Sequence, residues 1–241
     1  MMDSSFKPLV DAAAERYRGA GRYAWHFARG KLGTDPVFHF LLKEGLLPQR
    51  GRLLDLGCGQ GVLISLLQVA RDRFAKGEWP EDWPTPPREL QMLGVELRSD
   101  RAKAARLALG DGIAVTQSDI RDIELPRCSV ITILDVLLYL DRDEQHTLLE
   151  KCARAFERDG VLLLREADAS CGTAFHTTHW LERFACWTRG QFSQSLVYRP
   201  ADEWKALLGS LGFIVSAEPM SAGTPFGNVL FIARRAAEPL S

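Results

Sequence analysis

The stretch that decides the fold is Leu53-Leu54-Asp55-Leu56-Gly57-Cys58-Gly59-Gln60-Gly61. Residues typical of a buried strand lead directly into a glycine-rich turn, and an amphipathic segment, Val62–Phe74, follows. Glycine permits positive φ and lets a ligand approach the backbone closely. The N-terminal amides of the next helix then attract negative or polar groups. The stretch therefore predicts a strand, a ligand-binding loop and a helix in immediate succession.

The spacing of the glycines separates this loop from dinucleotide-binding loops. The spacing is G-x-G-x-G, with Asp55 two residues before the first glycine, and not G-x-G-x-x-G. A carboxylate there repels a pyrophosphate and suits a cation. The stretch resembles motif I of the class I S-adenosylmethionine-dependent methyltransferases, whose cofactor carries a sulfonium and an amino group. The resemblance implies a set of residues that bind S-adenosylmethionine and its product S-adenosylhomocysteine: Asp55, Gly57, Cys58, Gly59 and Gly61.

Composition and charge limit the partners that are compatible with this chain. Of its 241 residues, 46% are hydrophobic and 25% are charged, which suits one α/β domain with an N-terminal extension. Thirty basic and 31 acidic residues give a net charge of -1. This balance argues against nucleic acid as a partner, because binding phosphates needs a basic surface.

The cysteines and the apolar segments indicate the compartment. The five cysteines include no C-x-x-C pair and are odd in number, so we expect reduced, buried thiols. The first residues lack the basic-then-apolar layout of a secretory signal. Val130–Leu140, the most apolar window, is too short to span a bilayer and contains Asp135. We therefore predict a cytoplasmic protein with no membrane span, whose oligomeric state the sequence leaves open.

Strand and helix patterns alternate along the chain after residue 50. The predicted strands are Arg52–Leu56, Gln91–Glu96, Ile113–Gln117, Ser129–Leu134, Gly160–Arg165, Phe213–Ala217 and Asn228–Ala233. The predicted helices are Val62–Phe74, Ser99–Leu109, Glu144–Glu157 and Ala201–Leu211. This alternation predicts a doubly wound, mostly parallel α/β sheet of seven strands. Only a loop joins the last two strands, which allows an antiparallel edge hairpin, as in the Rossmann-like sheet that the methyltransferase resemblance implies.

Three further segments complete the predicted domain organisation. Residues 1–50 are predicted as an N-terminal helical extension, in which Asp35 caps a helix that begins at Pro36. Residues 51–235 form the predicted methyltransferase domain. Within it, Gly77–Arg88 is expected to be an extended surface loop because it is rich in proline. Residues 167–199 are expected to form a lid over the acceptor.

Two more acidic residues follow successive strands. Glu96 ends the second predicted strand, where a carboxylate can accept hydrogen bonds from two ribose hydroxyls. After the third strand, the residues around Asp119 resemble the methyltransferase segment in which an aspartate accepts from the adenine amino group. Taken singly, each acid is equally compatible with a helix cap or a solvated strand end. Together they assign further residues to the cofactor: Glu96, Leu97, Ser118, Asp119 and Ile120.

The chemistry of methyl transfer sets few requirements on side chains. The acceptor attacks a carbon that the sulfonium has already activated, so alignment can supply much of the acceleration and no metal is required. A hydroxyl acceptor needs a base to take its proton. His176 and His179 share one face if their segment is helical, and they are the candidate bases. Both are equally compatible with ordinary surface or packing positions.

Asp135, after the fourth predicted strand, is assigned both as a candidate catalytic residue and as a cofactor-binding residue. It is also compatible with a helix cap. A magnesium site of the catechol methyltransferase type, built from Asp135 with Glu166 or Asp168, is disfavoured. The Asp-Asn pair that this family has after its fifth strand is absent here.

The predicted activity is S-adenosylmethionine-dependent methylation, on oxygen, of a small or carrier-bound acceptor that is aromatic or apolar. The N-terminal run from Tyr17 to Gly33 is rich in aromatic and basic residues, and Arg29 or Lys31 could pair with the cofactor carboxylate. These residues are equally compatible with a solvated basic helix face. This run loosely resembles methyltransferases that accompany bacterial aryl-polyene pigment synthesis. The alternatives are a non-catalytic module that binds the cofactor and a nicotinamide-dependent oxidoreductase.

Overall fold

The computed structural model describes residues 3–170, 196–221 and 227–235. These residues belong to two compact units, Met1–Ile131 and Thr132–Ser241. The predicted extension at residues 1–50 falls in the same unit as the glycine-rich loop. The predicted domain limits and the predicted lid at residues 167–199 remain predictions.

Parallel strands form the sheet of the first unit. They are β1 (Arg50–Leu56), β2 (Glu89–Glu96) and β3 (Ala114–Gln117), in the order β3-β2-β1. The register of β1 on β2 runs from Arg50 opposite Glu89 to Leu56 opposite Val95, and β3 pairs parallel to β2. Because the strands are parallel, their carboxyl ends meet at one edge of the sheet, where ligands bind in open α/β sheets. Asp55 and Glu96 stand at that edge.

The described part of the first unit also contains α-helices. They are α1 (Lys7–Glu15), α2 (Arg22–Thr34), α3 (Pro36–Lys43), α4 (Val62–Ala75) and α5 (Ser99–Leu109), with a short 3-10 turn at Arg18–Ala20. The predicted cap of α3 is confirmed, since the Asp35 side chain accepts a hydrogen bond from the Val37 amide at 3.1 Å.

The N-terminal helix α1 is part of the core of this unit. It packs against α4, and the small buried residues Ala13 and Ala14 permit a close approach. The Ser65 hydroxyl donates to the Ala13 carbonyl at 3.1 Å. Helix α1, which precedes the glycine loop by some forty residues, is therefore in contact with α4, the helix that follows the loop.

The second unit contains an antiparallel group of strands. Strand β4 (Cys128–Leu134) begins in the first unit and ends in the second, which also holds α6 (Arg142–Ala155), β5 (Phe156–Ala167), α7 (Ala201–Ser210), β6 (Phe213–Pro219) and β7 (Asn228–Arg235). Strand β7 pairs antiparallel with both β5 and β6. The strand order is β3-β2-β1-β4-β5-β7-β6. The predicted mixed sheet of seven strands with an antiparallel edge is confirmed.

The largest errors in predicted boundaries concern α6 and β5, and β5 was expected at Gly160–Arg165 but spans Phe156–Ala167. Helix α6 was expected at Glu144–Glu157, but it begins and ends two residues earlier, and β5 follows at once. At the start, Asp141 and Glu144 form a capping box, which fixes the first turn at Arg142. At the end, Phe156 adopts extended backbone and its buried ring meets the Phe213 ring edge-on at 5.8 Å. This side-chain contact with β6 therefore ends α6 two residues before the end that the sequence pattern predicts.

The described cysteines agree with the predicted state. Cys58, Cys128 and Cys152 are buried, and Cys171 and Cys186 lie outside the described residues. Within the described ranges, none of the helices combines the length and the apolar character that crossing a bilayer requires.

Gly94 of β2 offers a test of how tightly the glycine loop packs on the sheet. A Cβ atom at this position would lie 2.7 Å from the Cys58 sulfur, so Gly94→Ala should lower the free energy of unfolding by about 1–3 kcal/mol. Because Cys58→Ala removes that sulfur, the loss in the double variant should be smaller than the sum of the single losses. Urea unfolding measures all three variants. Gly112→Ala, where an added Cβ meets no described atom within 4 Å, is the control; additive losses would contradict the contact.

Candidate functional site

The three glycines of the loop all adopt left-handed backbone. Their φ values are 73° at Gly57, 58° at Gly59 and 74° at Gly61, a region that side-chain-bearing residues rarely occupy. The amides of Gly57 and Cys58 both donate to the Val95 carbonyl, at 2.8 and 3.0 Å. The loop is therefore tied to the end of β2 by its own main chain.

Glu96 makes the second connection between the loop and β2. Its Oε2 accepts a hydrogen bond from the Gly59 amide at 2.9 Å, and its Oε1 accepts one from the Arg98 amide at 2.8 Å. The residue is buried, and amide donors compensate a carboxylate for lost solvation. A carboxylate offers about four acceptor positions, so two remain for a ligand.

Gly59 and Gly61 differ in what surrounds them. A Cβ at Gly61 would lie 2.8 Å from the Leu109 Cδ1, so this position lets α4 pack close to α5. A Cβ at Gly59 would meet no heavy atom of the described residues within 4 Å. Gly59 therefore faces open space, where a ligand can approach the main chain. Asp55 is buried at the end of β1 beside this loop.

Cys58 was predicted as a cofactor-binding residue of the loop. Burial raises the pKa of its thiol well above the ordinary value, and the nearby carboxylates of Asp55 and Glu96 raise it further. Because only the thiolate is a strong nucleophile, this cysteine is suited to packing, and its amide is already bonded to the Val95 carbonyl. The Cys58 sulfur also packs closely against Gly94 of β2.

Asp119 lies after β3 and is held by Arg121. Its Oδ1 accepts from the Arg121 amide at 2.9 Å and from Nε at 3.0 Å, and its Oδ2 accepts from Nη2 at 2.6 Å. The hydrogen bonds from this guanidinium lower the pKa of Asp119, which keeps the carboxylate charged. These three bonds leave one acceptor position, on Oδ2, for the predicted contact with an adenine amino group.

The apolar residues of the predicted adenine region differ in exposure. Leu97 is 59% exposed, whereas Ile120 is buried. The Ser118 amide donates to the Glu96 carbonyl at 3.1 Å and extends the pairing of β2 with β3. Leu97 thus presents apolar surface at the carboxyl edge of the sheet.

In the second unit, Asp135 is bound by Arg165. The Arg165 Nε donates to Oδ1 at 2.8 Å and its Nη2 donates to Oδ2. The Arg165 side chain is only 1% exposed, and a buried guanidinium requires such a partner. Asp135 has φ 60°, a backbone strain of the kind found at functional sites. A base role for Asp135 would therefore compete with the ion pair.

Glu166 supports the same turn from the next position of β5. Its Oε1 accepts from the amides of Val136 and Leu137, at 3.1 and 2.7 Å. Burial, together with the negative charge of Asp135, raises the pKa of Glu166 to about 8, against the opposing effect of the two amides and Arg165. The carboxyl is therefore neutral at pH 7.

The remaining predicted residues are placed as follows. Asp168 accepts hydrogen bonds from the Ser170 and Ala201 amides at 2.9 and 3.0 Å. In the part of the chain that the structure describes, no group of three or more His, Cys, Asp or Glu side chains is arranged to hold a metal ion. His176 and His179 lie outside the described residues.

The basic residues proposed for the cofactor carboxylate have partners on the surface. The Arg29 Nε lies 3.1 Å from the Asp11 Oδ1, and the Lys31 Nζ lies 2.8 Å from the Asp35 Oδ2. The Arg29–Asp11 pair is exposed, and such pairs are weak, so a ligand could displace it. The Asp35 side chain is only 11% exposed, so the Lys31 pair is better shielded from solvent.

Residues that sequence reasoning missed stand next to the predicted ones. Tyr17 and Gln60 contact each other across 43 positions, a separation for which the sequence carries no signal. Arg165 and Glu166 carried a signal, since two charged residues end the apolar run Val161–Leu164. The sequence interpretation considered Glu166 only as a possible metal ligand.

Comparison with known proteins gives a family model and several relatives. The model described as "Methyltransferase domain" matches residues 24–218. The carboxy-S-adenosyl-L-methionine synthase of Aliivibrio fischeri is 25% identical over 131 residues, which are 52% of this chain and 48% of that protein. The chain thus spans about half the length of the curated relatives it matches.

Solved structures share the fold. An O-methyltransferase family protein from Burkholderia thailandensis superposes with a TM-score of 0.64 at 16% identity, covering 95% of this chain and 64% of that chain. The magnesium protoporphyrin IX methyltransferase from Synechocystis, solved with S-adenosylhomocysteine, gives a TM-score of 0.59 at 17% identity, with coverage of 96% and 98%.

Glu166→Gln should flatten the pH dependence of stability. The folded protein holds the Glu166 proton up to about pH 8, whereas the unfolded chain releases it near 4.5. The folded state binds more protons in this window, so the contribution of Glu166 is full below pH 4.5 and is lost as the pH rises to about 8. Urea unfolding should show the variant gaining on the wild type by up to about 1.4 kcal/mol per pH unit. Glu89→Gln, at the exposed start of β2, should follow the wild type; a Glu166→Gln profile parallel to that of the wild type would contradict the assignment.

Proposed function

The chain belongs to the methyltransferase domain family, and from this premise we propose that it transfers the methyl group of S-adenosylmethionine to an oxygen of a small aromatic or apolar acceptor. The observation that supports the cofactor site most directly is the hydrogen bond of 2.9 Å from the Gly59 amide to Glu96. It joins the loop that is proposed to take the amino-acid end of the cofactor to the carboxylate that is proposed to take the ribose. The matched residues, 24–218, include both.

The residues of the first unit fit S-adenosylmethionine in charge and in shape. The cofactor is positive at its sulfur and at its amino group, and the carboxylates of Asp55, Glu96 and Asp119 belong to the same compact unit. Attraction between opposite charges is stronger in a partly buried site than in water. The open space beside Gly59 allows the ligand to contact the loop main chain. We assign Asp55 and the loop residues 57–61 to the sulfonium and amino-acid end.

The adenosine end is assigned to residues after β2 and β3. Glu96 retains two acceptor positions beyond its two amide bonds, enough for two ribose hydroxyls. Asp119 retains one for the adenine amino group. The exposed apolar surface of Leu97, with Ser118 and Ile120 beside Asp119, is proposed to contact the adenine ring.

Catalysis in this proposal depends mainly on alignment. S-adenosylmethionine supplies a methyl carbon that its positive sulfur has already activated. The protein holds the acceptor in line with that carbon and excludes water. His179, with His176 as the second candidate, is proposed to take the acceptor proton. Asp135 remains proposed as a cofactor-binding or catalytic residue. Binding the cofactor would leave its ion pair with Arg165 intact.

The nature of the acceptor is supported by sequence and by analogy. Residues 175–198 include Trp180, Phe184 and Trp187, which suit an aromatic or apolar molecule. Two structural neighbours are named as an O-methyltransferase family protein and a magnesium protoporphyrin IX methyltransferase. A carrier-bound polyene is a further candidate acceptor. Membership of the methyltransferase family replaces the nicotinamide-dependent alternative.

Glu96→Gln tests the cofactor site. An amide cannot satisfy both backbone donors and also accept from two ribose hydroxyls, so the Kd for S-adenosylhomocysteine should rise about 10- to 100-fold. Calorimetric titration measures it, with NADH as a ligand that should not bind. Glu89→Gln makes the same change at the exposed opposite end of β2 and should bind as the wild type does. Unchanged affinity in Glu96→Gln would remove this residue from the site.

His179→Ala tests the proposed base. Acceptors are first screened as phenols and polyenes, with methyl uptake detected by mass spectrometry. With an active phenol, the variant should lose about 100-fold in kcat and keep its affinity for S-adenosylhomocysteine. His146→Ala, on the exposed side of α6, is the control. Unchanged turnover would leave His179 a surface or packing residue, and cofactor binding without turnover on any acceptor would support the non-catalytic module.

A further inference from the structure

Tyr17 connects the N-terminal helices to the glycine loop. It comes two residues after α1 and is fully buried, and its hydroxyl donates to the Gln60 carbonyl at 2.8 Å. Burial raises the pKa of Tyr17, and the negative charge of Asp55 acts in the same direction. The phenol therefore stays protonated and continues to donate this hydrogen bond at physiological pH.

This hydrogen bond fixes one peptide unit of the loop. The carbonyl of the Gln60–Gly61 peptide accepts from Tyr17, and its amide donates to the Cys58 carbonyl at 2.8 Å. A peptide that is bonded at both ends cannot turn over without losing both bonds. The neighbouring glycines, at positive φ, would otherwise allow such a turn at little cost. Tyr17 therefore selects one orientation of the loop.

The side chain of Gln60 has an unsatisfied hydrogen-bond acceptor. The residue is 7% exposed, and its Oε1 is buried without a hydrogen-bond partner within the part of the chain described. Buried side-chain acceptors are nearly always satisfied. The main-chain oxygen of the same residue is already occupied by Tyr17. The side-chain oxygen of Gln60 therefore needs a hydrogen-bond donor, and an amino group can supply one.

We propose that Tyr17 is a positioning residue of the cofactor loop, which orients the Gln60–Gly61 peptide so that the Gln60 side chain accepts from the amino group of S-adenosylmethionine. Tyr17 acts through Gln60 and does not itself touch the cofactor. The inference rests on the proposed function, and it adds the N-terminal segment to the machinery that binds the amino-acid end. Affinity for that end then depends on how α1 is seated against α4.

Tyr17→Phe tests this role because it removes only the hydroxyl. Two ligands are titrated calorimetrically: S-adenosylhomocysteine and 5′-methylthioadenosine, which has the same nucleoside thioether without the amino acid. The Kd for S-adenosylhomocysteine should rise about tenfold, the effect of one buried hydrogen bond, and that for methylthioadenosine should not change. Gln60→Met, which removes the side-chain acceptor, should show the same selectivity. Tyr23→Phe, at a side chain that is 78% exposed, should leave both constants unchanged.

The selectivity between the ligands separates positioning from general stability. Equal weakening of both ligands in Tyr17→Phe, with a lower unfolding temperature, would mean a structural role only and would overturn the inference. Unaltered binding of S-adenosylhomocysteine would also overturn it. A wild-type protein that binds neither ligand would instead refute the proposed function, and the inference with it.

Discussion

The Glu96 carboxylate, shared between the amides of Gly59 and Arg98, is the interaction on which the candidate site depends. A loop with three left-handed glycines needs several restraints, because glycine restricts the backbone least. The Gly57 and Cys58 amides tie the start of the loop to Val95, and the buried carboxylate of Glu96 adds the restraint at Gly59 and also determines how α5 begins. The cost of burying the charge is offset by two amide donors that have no other partner in a strand or helix. The geometry of the glycine loop therefore depends on β1 and β2 together, and not on the spacing of its glycines alone.

The elements that a local pattern determines could be predicted closely from the sequence. Helix α5 was predicted to the residue, at Ser99–Leu109, because its alanine- and leucine-rich face and a terminal glycine define both ends. Strand β5 was predicted too late because its start depends on Phe156 meeting Phe213, a contact 57 positions away. No window of sequence contains that information. The same reason explains the shifted end of α6.

Within the candidate site, the acids were predictable and their partners were not. Asp55, Glu96 and Asp119 stand at strand ends, and strand ends can be located from apolar runs. That Arg121 holds Asp119, that Arg165 holds Asp135, and that Tyr17 reaches Gln60 are tertiary facts. These partners decide which lone pairs remain for a ligand. The family could therefore be predicted from the sequence and was confirmed. Which residue holds each acid could be established only from the structure.

The position of β7 has a consequence for synthesis of the protein on the ribosome. This strand lies between β5 and β6, although it follows both in the sequence. While β5 and β6 are already outside the ribosome, the edges that they will present to β7 stay without hydrogen-bond partners until Asn228–Arg235 has emerged. Unpaired strand edges in a nascent chain are sites of aggregation. Strands β1, β2 and β3 can pair with one another earlier, and the insertion of β7 between β5 and β6 completes the sheet last.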